Sequence, residues 1–263
     1  YLGHTLAEIA REKAGIIKPK TPVVSGVKQK QARTVVQRIA RKQSAPLFML
    51  GRDFKVRQNP SGGFSYSGID NNWRQLQTPL LGRYQVQNAA LALAASEVLI
   101  KAKAAISIES IRKGLANTHW AGRLEIVCEN PLVILDGAHN IIAARNLAKY
   151  LTENLAGRRL TLVIGILDDK PYASMLNSLL PQCYRAIVTR ARAQRALAPE
   201  KLYAIAKKTI DDVCIIPDVA AAAQHAIEAA GPDDVVCIAG SLYVVGEAKE
   251  AIEKGLLKSI RTT

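Results

Sequence analysis

Neither glycine-rich phosphate fingerprint occurs in this chain: there is no G-x-x-x-x-G-K-[S/T] loop and no G-x-G-x-x-G. The nearest approach, Gly255-Leu-Leu-Lys258-Ser259, lacks the glycine before the lysine. The residues alone therefore do not mark an ATPase. No apolar run approaches the ~18 residues of a membrane span, which argues against a membrane protein. The opening Tyr-Leu-Gly-His-Thr-Leu-Ala-Glu has no signal-peptide pattern. There is no initiator methionine either, so the chain reads as starting inside a longer one. Cysteines are few and far apart, at 128, 183, 214 and 237. That spacing suits reduced, buried thiols in a cytoplasmic protein and disfavours disulfides or a zinc site.

What is present is the composition of a soluble globular protein: 49% hydrophobic and 22% charged residues in a chain of 263. That length supports one large domain or two ordinary ones. The formal charge is +14, and it is uneven. The first 57 residues hold thirteen Lys/Arg against Glu8, Glu12 and Asp53. Such an excess draws anions. The basic residues alternate with apolar ones and lack the aromatics of a base-stacking platform, so small anions are favoured over nucleic acid.

Along the chain, Thr5 to Glu8 is a capping box opening a helix to about Ala14, with Gly15 placed as the left-handed residue past its end. Pro22–Val27 reads as a strand, Gln29–Gln43 as a basic amphipathic helix, and Leu47–Leu50 as another strand. Short alternating runs between Asp53 and Gln77 predict antiparallel hairpins. Helices are expected over Asn88–Ala102 and Ile108–Ala116. After a break at Asn117–Gly122 the pattern changes. Strands at 125–128, 132–135, 161–164, 186–189, 213–215 and 235–238 alternate with helices at 141–155, 172–180, 199–208, 218–230 and 242–255. This alternation predicts a mostly parallel sheet covered on both faces, a doubly wound α/β domain. A boundary is expected near residue 120, giving domains 1–120 and 121–263.

The stretch Leu132 to Asn140, L-V-I-L-D-G-A-H-N, holds the strongest candidate residues. Four apolar residues make a buried strand, Asp136-Gly137 breaks it, and a helix follows. In open α/β sheets ligands bind beyond the carboxyl ends of strands, where loops lead into helix N-termini. Asp136 and His139 are thus placed at such a lip. The same stretch is equally compatible with a plain turn in which Asp136 caps the helix.

Several segments together resemble the folylpolyglutamate synthase/dihydrofolate synthase family, a branch of the Mur-ligase-type enzymes. Y-L-G-H-T-L-A-E-I-A-R-E-K-A-G-I-I-K-P at 1–19 and L-D-G-A-H-N at 135–140 are the distinctive matches. L-G-R-Y-Q-V-Q-N-A-A-L-A at 81–92, G-R-L-E at 122–125, Asp169-Lys170, Arg195-Ala196 and G-S-L-Y-V-V-G-E at 240–247 support them. The family commonly has proline where Ala121 and Ile141 stand. Proline in a helix's first turn is stabilising but dispensable, so Ile141 changes little.

The resemblance implies an incomplete Mur-ligase-type ATPase domain over 1–120, followed by a Rossmann-like glutamate-binding domain over 121–263. It also implies that the phosphate loop and a metal-binding histidine lie upstream of Tyr1, and that the isolated chain is inactive. The expected reaction joins L-glutamate to a pteroate or folate carboxylate, using ATP and Mg²⁺ and passing through an acyl phosphate. The full-length enzyme is expected to be a cytoplasmic monomer.

Residue by residue, the resemblance makes Lys13 a carbamylated lysine that helps hold magnesium, where spacing alone gives an ordinary exposed lysine near a helix end. Asn88 would contact adenine, or cap its helix. Arg123 would contact phosphate, Asp136 the ribose or Arg123, and His139 the γ-phosphate and incoming glutamate. Arg195 and Ser241 are candidates for the glutamate carboxylates, and Asp169–Lys170 for a structural ion pair. His4, His119 and His225 read as structural or solvated. Two rivals stay open: a ligase for UDP-linked sugar peptides, and a non-catalytic nucleotide- or polyanion-binding module.

Overall fold

The computed structural model describes residues 5–60 and 62–255. His4, the first four residues of the Tyr1–Pro19 segment, and Lys258-Ser259 lie outside the described residues. The chain forms two compact units that divide between His119 and Trp120.

The first unit opens with α1 (Leu6–Ala14), whose capping box is complete: Glu8 N donates to Thr5 Oγ1 at 3.2 Å, and Thr5 N to Glu8 Oε2 at 3.0 Å. Each bond satisfies a donor that the helix start would leave orphaned. Gly15 departs from expectation. It keeps a right-handed φ of −58°, and its amide bonds Glu12 O at 3.1 Å, so the helix ends in a tighter turn. Strands β1 (Val23–Ser25) and β2 (Leu47–Met49) pair in parallel across α2 (Lys30–Lys42). Strands β3 (Lys55–Gln58), β4 (Phe64–Ser67) and β5 (Asn72–Leu76) form an antiparallel sheet, as the hairpin pattern predicts. Its inner face, with Phe64, Tyr66 and Leu76, packs on Val86, Ala90 and Leu93 of α3 (Arg83–Lys101) and Ile111 of α4 (Ile108–Ala116).

Helix α3 begins five residues earlier than expected, at Arg83 where Asn88 was foreseen. Gly82, at φ +92°, makes the sharp entry that a side chain would oppose. Inside this unit sits a carboxylate that nothing in the local pattern announces. Glu97 of α3 is buried and accepts from Tyr66 Oη (2.6 Å), Asn71 Nδ2 (3.0 Å) and the amides of Ile69, Asp70 and Asn71 (2.7, 3.0 and 2.6 Å). A buried charge survives only when its lone pairs are filled this way. The bonds fasten the β4–β5 turn to the helix, and burial, with the hydrogen bond to Glu97 and its charge, pushes the Tyr66 phenol up.

The second unit is a six-stranded sheet in the order β10-β9-β8-β11-β7-β6. The strands are β6 (Glu125–Glu129), β7 (Leu132–Asp136), β8 (Leu160–Ile164), β9 (Arg185–Val188), β10 (Asp212–Ile215) and β11 (Val235–Ala239). All pairs are parallel except β6 with β7. The near-continuous apolar runs of β7, β8 and β11 suit strands buried on both faces. Val133, Leu135, Val163, Val236 and Ile238 point to one face, against α8 (Val219–Glu228) and α9 (Leu242–Glu253). The alternate residues are buried as well, on the side of α5 (Ile141–Asn154), α6 (Tyr172–Leu179) and α7 (Pro199–Ala206). The doubly wound α/β expectation therefore holds. Strand β11 enters last and fills the place between β7 and β8. All four cysteines are free thiols. Cys237 is buried, while Cys128, Cys183 and Cys214 are only partly so. Burial pushes Cys183 up to about 12 and Cys237 well above the ordinary thiol range, so neither is a thiolate nucleophile. No described helix is long and apolar enough to cross a membrane.

Candidate functional site

The candidate residues of the second unit collect at the carboxyl edge of its sheet. Strand β7 ends on Asp136, buried at 4% exposure. Its Oδ2 accepts from Leu124 N and its Oδ1 from Ala138 N, both at 2.9 Å. The neighbouring Gly137 amide donates to Gly122 O at 2.7 Å. Two of these bonds stitch the segment 122–124 to the segment 136–138, and the third, from Ala138, closes the turn after β7. Leu124 takes a positive φ of +48° and Gly122 one of +66°, a local strain that the stitching holds in place. Burial raises the Asp136 carboxyl above its usual range, opposed by the two amide bonds and by the charges of Arg123 and His139.

Of the two expected roles of Asp136, this geometry favours orienting Arg123. Both oxygens face backbone amides, so it braces the loop carrying Arg123 and offers little to a ribose. Arg123 itself is half-buried and makes no hydrogen bond or ion pair among the described residues, leaving its donor fork open. His139 Nδ1 lies 2.8 Å from Gly137 O. A carbonyl only accepts, so Nδ1 bears the proton in this bond, which leaves Nε2 as the ring nitrogen that can carry a lone pair.

Two helix N-termini open onto this edge from adjacent strands. Asn140 caps α5, its Oδ1 accepting from Ala143 N at 2.9 Å. Ser241 caps α9, its Oγ accepting from Val244 N at 3.2 Å. Ser241 is only 1% exposed, so capping is its evident task. The positive ends of both helices add to the Arg123 charge and favour an anion here. Exposed Ile142, Leu242 and Tyr243 stand in the first turns of the same helices. Farther along the edge, the loop after β8 pairs with the loop after β9 through Leu167 and Ala196. Arg195 Nη1 meets Asp169 Oδ2 at 3.0 Å, beside the Lys170–Asp169 pair at 2.8 Å that sequence foresaw. Arg195 remains more than half exposed, with further donors open.

Sequence reasoning missed the support on the far side of Arg123. Glu125 Oε2 accepts from Gly122 N at 2.7 Å, and its Oε1 meets Lys249 Nζ of α9 at 2.6 Å. The Gly-Arg-Leu-Glu segment pointed at Glu125, but its partner lies 124 residues away.

Lys13 and Asn88 belong to the first unit. Lys13 is exposed in the last turn of α1. Its amine makes no hydrogen bond or ion pair among the described residues, and is accessible to carbon dioxide. A carbamate would supply oxygen ligands of the kind hard Mg²⁺ prefers. The described residues contain no group of three His, Cys, Asp or Glu able to hold a metal, so Lys13 would be one ligand among others supplied elsewhere. Asn88 lies in the second turn of α3 and is no N-cap, contrary to the capping alternative. Its Nδ2 donates to Gln85 Oε1 at 2.9 Å, and the exposed amide retains its carbonyl for a base edge.

Residues 122–242 match the family model described as Mur ligase, glutamate ligase domain. The dihydrofolate synthase/folylpolyglutamate synthase of Bacillus subtilis is 34% identical over 96% of this chain and 59% of its own length. An Escherichia coli FolC structure in complex with DHPP and ADP superposes with a TM-score of 0.86 at 28% identity, over 97% of this chain and 58% of that one. The bifunctional enzyme of Yersinia pestis, complexed with AMPPNP and Mn ion, gives a TM-score of 0.83 at 27% identity over 96% and 58%. The resemblance carried by residues 1–19 and 135–140 thus extends over nearly the whole chain. The chain spans about 60% of the length of the relatives it matches.

Proposed function

We propose that this chain, a relative of the folylpolyglutamate and dihydrofolate synthases over nearly its entire length, is part of an ATP-dependent ligase that joins L-glutamate to a pteroate or folate carboxylate. One observation carries the reading: the open guanidinium of Arg123 and His139 share the carboxyl edge with two helix N-termini, in a unit of the glutamate-ligase type. A carboxylate is a poor electrophile. Its oxygen attacks the γ-phosphorus of ATP, ADP leaves, and the resulting acyl phosphate is open to an amine. The amine of glutamate then attacks the acyl carbon, phosphate leaves, and the amide remains.

Little covalent work falls to the protein, so positioning and charge neutralisation dominate. Arg123 donates its fork to phosphoryl oxygens, with Asp136 and Glu125 fixing the loop that aims it. His139 Nε2, kept a lone-pair acceptor by the Nδ1–carbonyl bond, takes a proton from the attacking amine. Arg195 receives a glutamate carboxylate. Ser241 serves by holding the first turn of α9. Asn88 reads the adenine edge. A Lys13 carbamate would hold part of the shell of a magnesium ion, which would add neutralisation of phosphoryl charge.

The test is an assay of the longest polypeptide containing this sequence that the source cell makes, purified as such. ATP hydrolysis that requires both glutamate and dihydropteroate or tetrahydrofolate is the expected result. Turnover on UDP-muramoyl peptides instead, or no ligase turnover with any of these acids, overturns the reading. A polypeptide of these 263 residues alone, with no phosphate loop in its sequence, is expected to turn over no ATP.

A further inference from the structure

The antiparallel sheet of the first unit has an outer face that the ligase reading does not use. Lys55 stands opposite Ser67, and Arg57 opposite Ser65, while Val56 and Tyr66 alternate toward the core. With Arg74 of β5 these residues line an open depression of about 710 Å³. Lys55, Arg57 and Arg74 are exposed, and none makes a side-chain hydrogen bond or ion pair among the described residues. No acidic residue lines the depression. Nearby charges are already committed: Asp53 pairs with Arg52 at 2.7 Å, and Asp70 with Lys101 at 3.3 Å. Arg112 donates to the carbonyls of Arg74 and Gln75, at 2.8 and 2.9 Å, and so fixes the backbone that presents the Arg74 side chain.

Three open cations on one concave face call for an anion with several charges. The aromatic rings of this sheet are on the other side, where Tyr66 and Trp73 stack at 5.4 Å. A single-stranded nucleic acid would find no ring to stack on. The spacing favours a carboxylate ladder. Lys55 and Arg57 are alternate residues of one strand, about 6.8 Å apart. Successive α-carboxylates of an extended γ-glutamyl chain stand roughly 6 Å apart by standard bond lengths. Arginine forks match carboxylates well, and the hydroxyl of Ser67 adds a donor.

We propose that the outer face of β3–β4–β5, through Lys55, Arg57 and Arg74, binds the oligo-γ-glutamate tail of the ligase's substrate or product. This rests on the ligase reading for the identity of the tail, and on the sheet alone for its carboxylate-binding chemistry. The face acts as a track along which a lengthening tail is held by its side carboxylates.

The test uses the 263-residue chain without ATP and a fluorescent γ-linked pentaglutamate, with binding read by anisotropy at an ionic strength of about 0.15 M, where the screening length is about 8 Å. Binding should exceed that of γ-linked diglutamate. The variant Lys55→Gln/Arg57→Gln/Arg74→Gln should weaken it by roughly tenfold, the combined effect of three exposed charge pairs. The variant Arg33→Gln/Arg38→Gln/Arg41→Gln, with the same change of charge on α2, should alter it by less than about twofold, as long-range attraction is screened. Equal losses in the two variants would reduce the effect to diffuse charge and overturn the proposal. So would a single-stranded oligonucleotide that binds this face more tightly than the pentaglutamate. Because no turnover is measured, failure here leaves the ligase reading standing. Failure of that reading shows instead in the assay of the longer polypeptide.

Discussion

The carboxylate of Asp136, at the end of β7, accepts the amide of Leu124 at 2.9 Å, and so decides where the residue before Leu124 points its side chain. The second oxygen holds Ala138 at the same distance, on the way to His139. One buried side chain thus sets both halves of the candidate site. Asp136→Ala strands two buried amides and should cost about 3 kcal/mol, since each unsatisfied donor costs ~1–3 kcal/mol. Urea denaturation of the chain measures it.

The same carboxyl makes a pH signature. Its folded-state value is raised by burial, so the folded form holds the proton more tightly than the unfolded form does. The contribution is fully present below the ordinary aspartate value of about 3.9 and is lost as pH rises through the raised one. Carboxyls held low, such as Asp169 beside Lys170 and Arg195, act in the opposite sense as pH falls. Urea midpoints of wild type minus those of Asp136→Asn should therefore decline with rising pH across this window. A difference independent of pH would contradict the raised value.

Arg123→Ala should separate function from folding. The guanidinium makes no hydrogen bond or ion pair among the described residues, and its charge acts on Asp136 only at a distance, so stability should stay within about 0.5 kcal/mol. Ligase turnover by the longer polypeptide should fall roughly 100-fold, as expected when one donor to developing phosphoryl charge is removed. Arg123→Lys should restore little of it, because an ammonium lacks the planar fork. Thermal melts and steady-state rates on the same preparations give both numbers.

Two glycines of the carboxyl edge should answer alanine differently. A Cβ at Gly137 would come within 2.3 Å of Leu242 Cδ2, but that side chain is half exposed and can swing away. At Gly240 the φ is +107° and the obstacle is backbone, Gly165 O at 2.6 Å. Gly137→Ala should cost about 1 kcal/mol and Gly240→Ala about 3 kcal/mol, combining left-handed strain with overpacking. Denaturation midpoints of the two variants settle the order.

Glu97→Ala should be the costliest single change in the first unit, about 3–5 kcal/mol, because a tyrosine hydroxyl and backbone amides lose their acceptor together. Hydrogen exchange at Ile69, Asp70 and Asn71 should accelerate even where the unit stays folded. Tyr66→Phe, which removes one donor and leaves the cage, should cost roughly 1.5 kcal/mol.

Much of the second unit could be read from sequence because its elements announce themselves locally. Runs such as Leu160–Ile164, apolar but for Thr161, and Val235–Ala239, apolar throughout, are each followed by a cap or turn residue. Leu132–Asn140 likewise located the carboxyl-edge lip, because a strand, a glycine break and a capped helix follow in order. What stayed hidden depends on distant partners. Glu97 looks like a solvent-facing residue of an alanine-rich helix until the amides 26 to 28 residues earlier are brought against it. Lys249 gives no sign of reaching Glu125. Asn88 looked like a cap because its type suits one, yet Gly82 had already started the helix. The order of the strands was equally silent, since every helix-linked strand has the same pattern wherever it lands.

That order has a consequence for how the molecule is made. The last strand of the sheet to leave the ribosome, Val235–Ala239, belongs at its interior, flanked by strands made some 100 and 75 residues before it. Until it arrives, β7 and β8 each show an unsatisfied row of amides and carbonyls across an empty slot. Nascent chains halted short of residue 239 would therefore expose two sticky edges at once, a configuration prone to pairing with neighbours. The stretch of synthesis between Ile164 and Val235 is thus the interval in which both edges stand open and a chaperone is most needed.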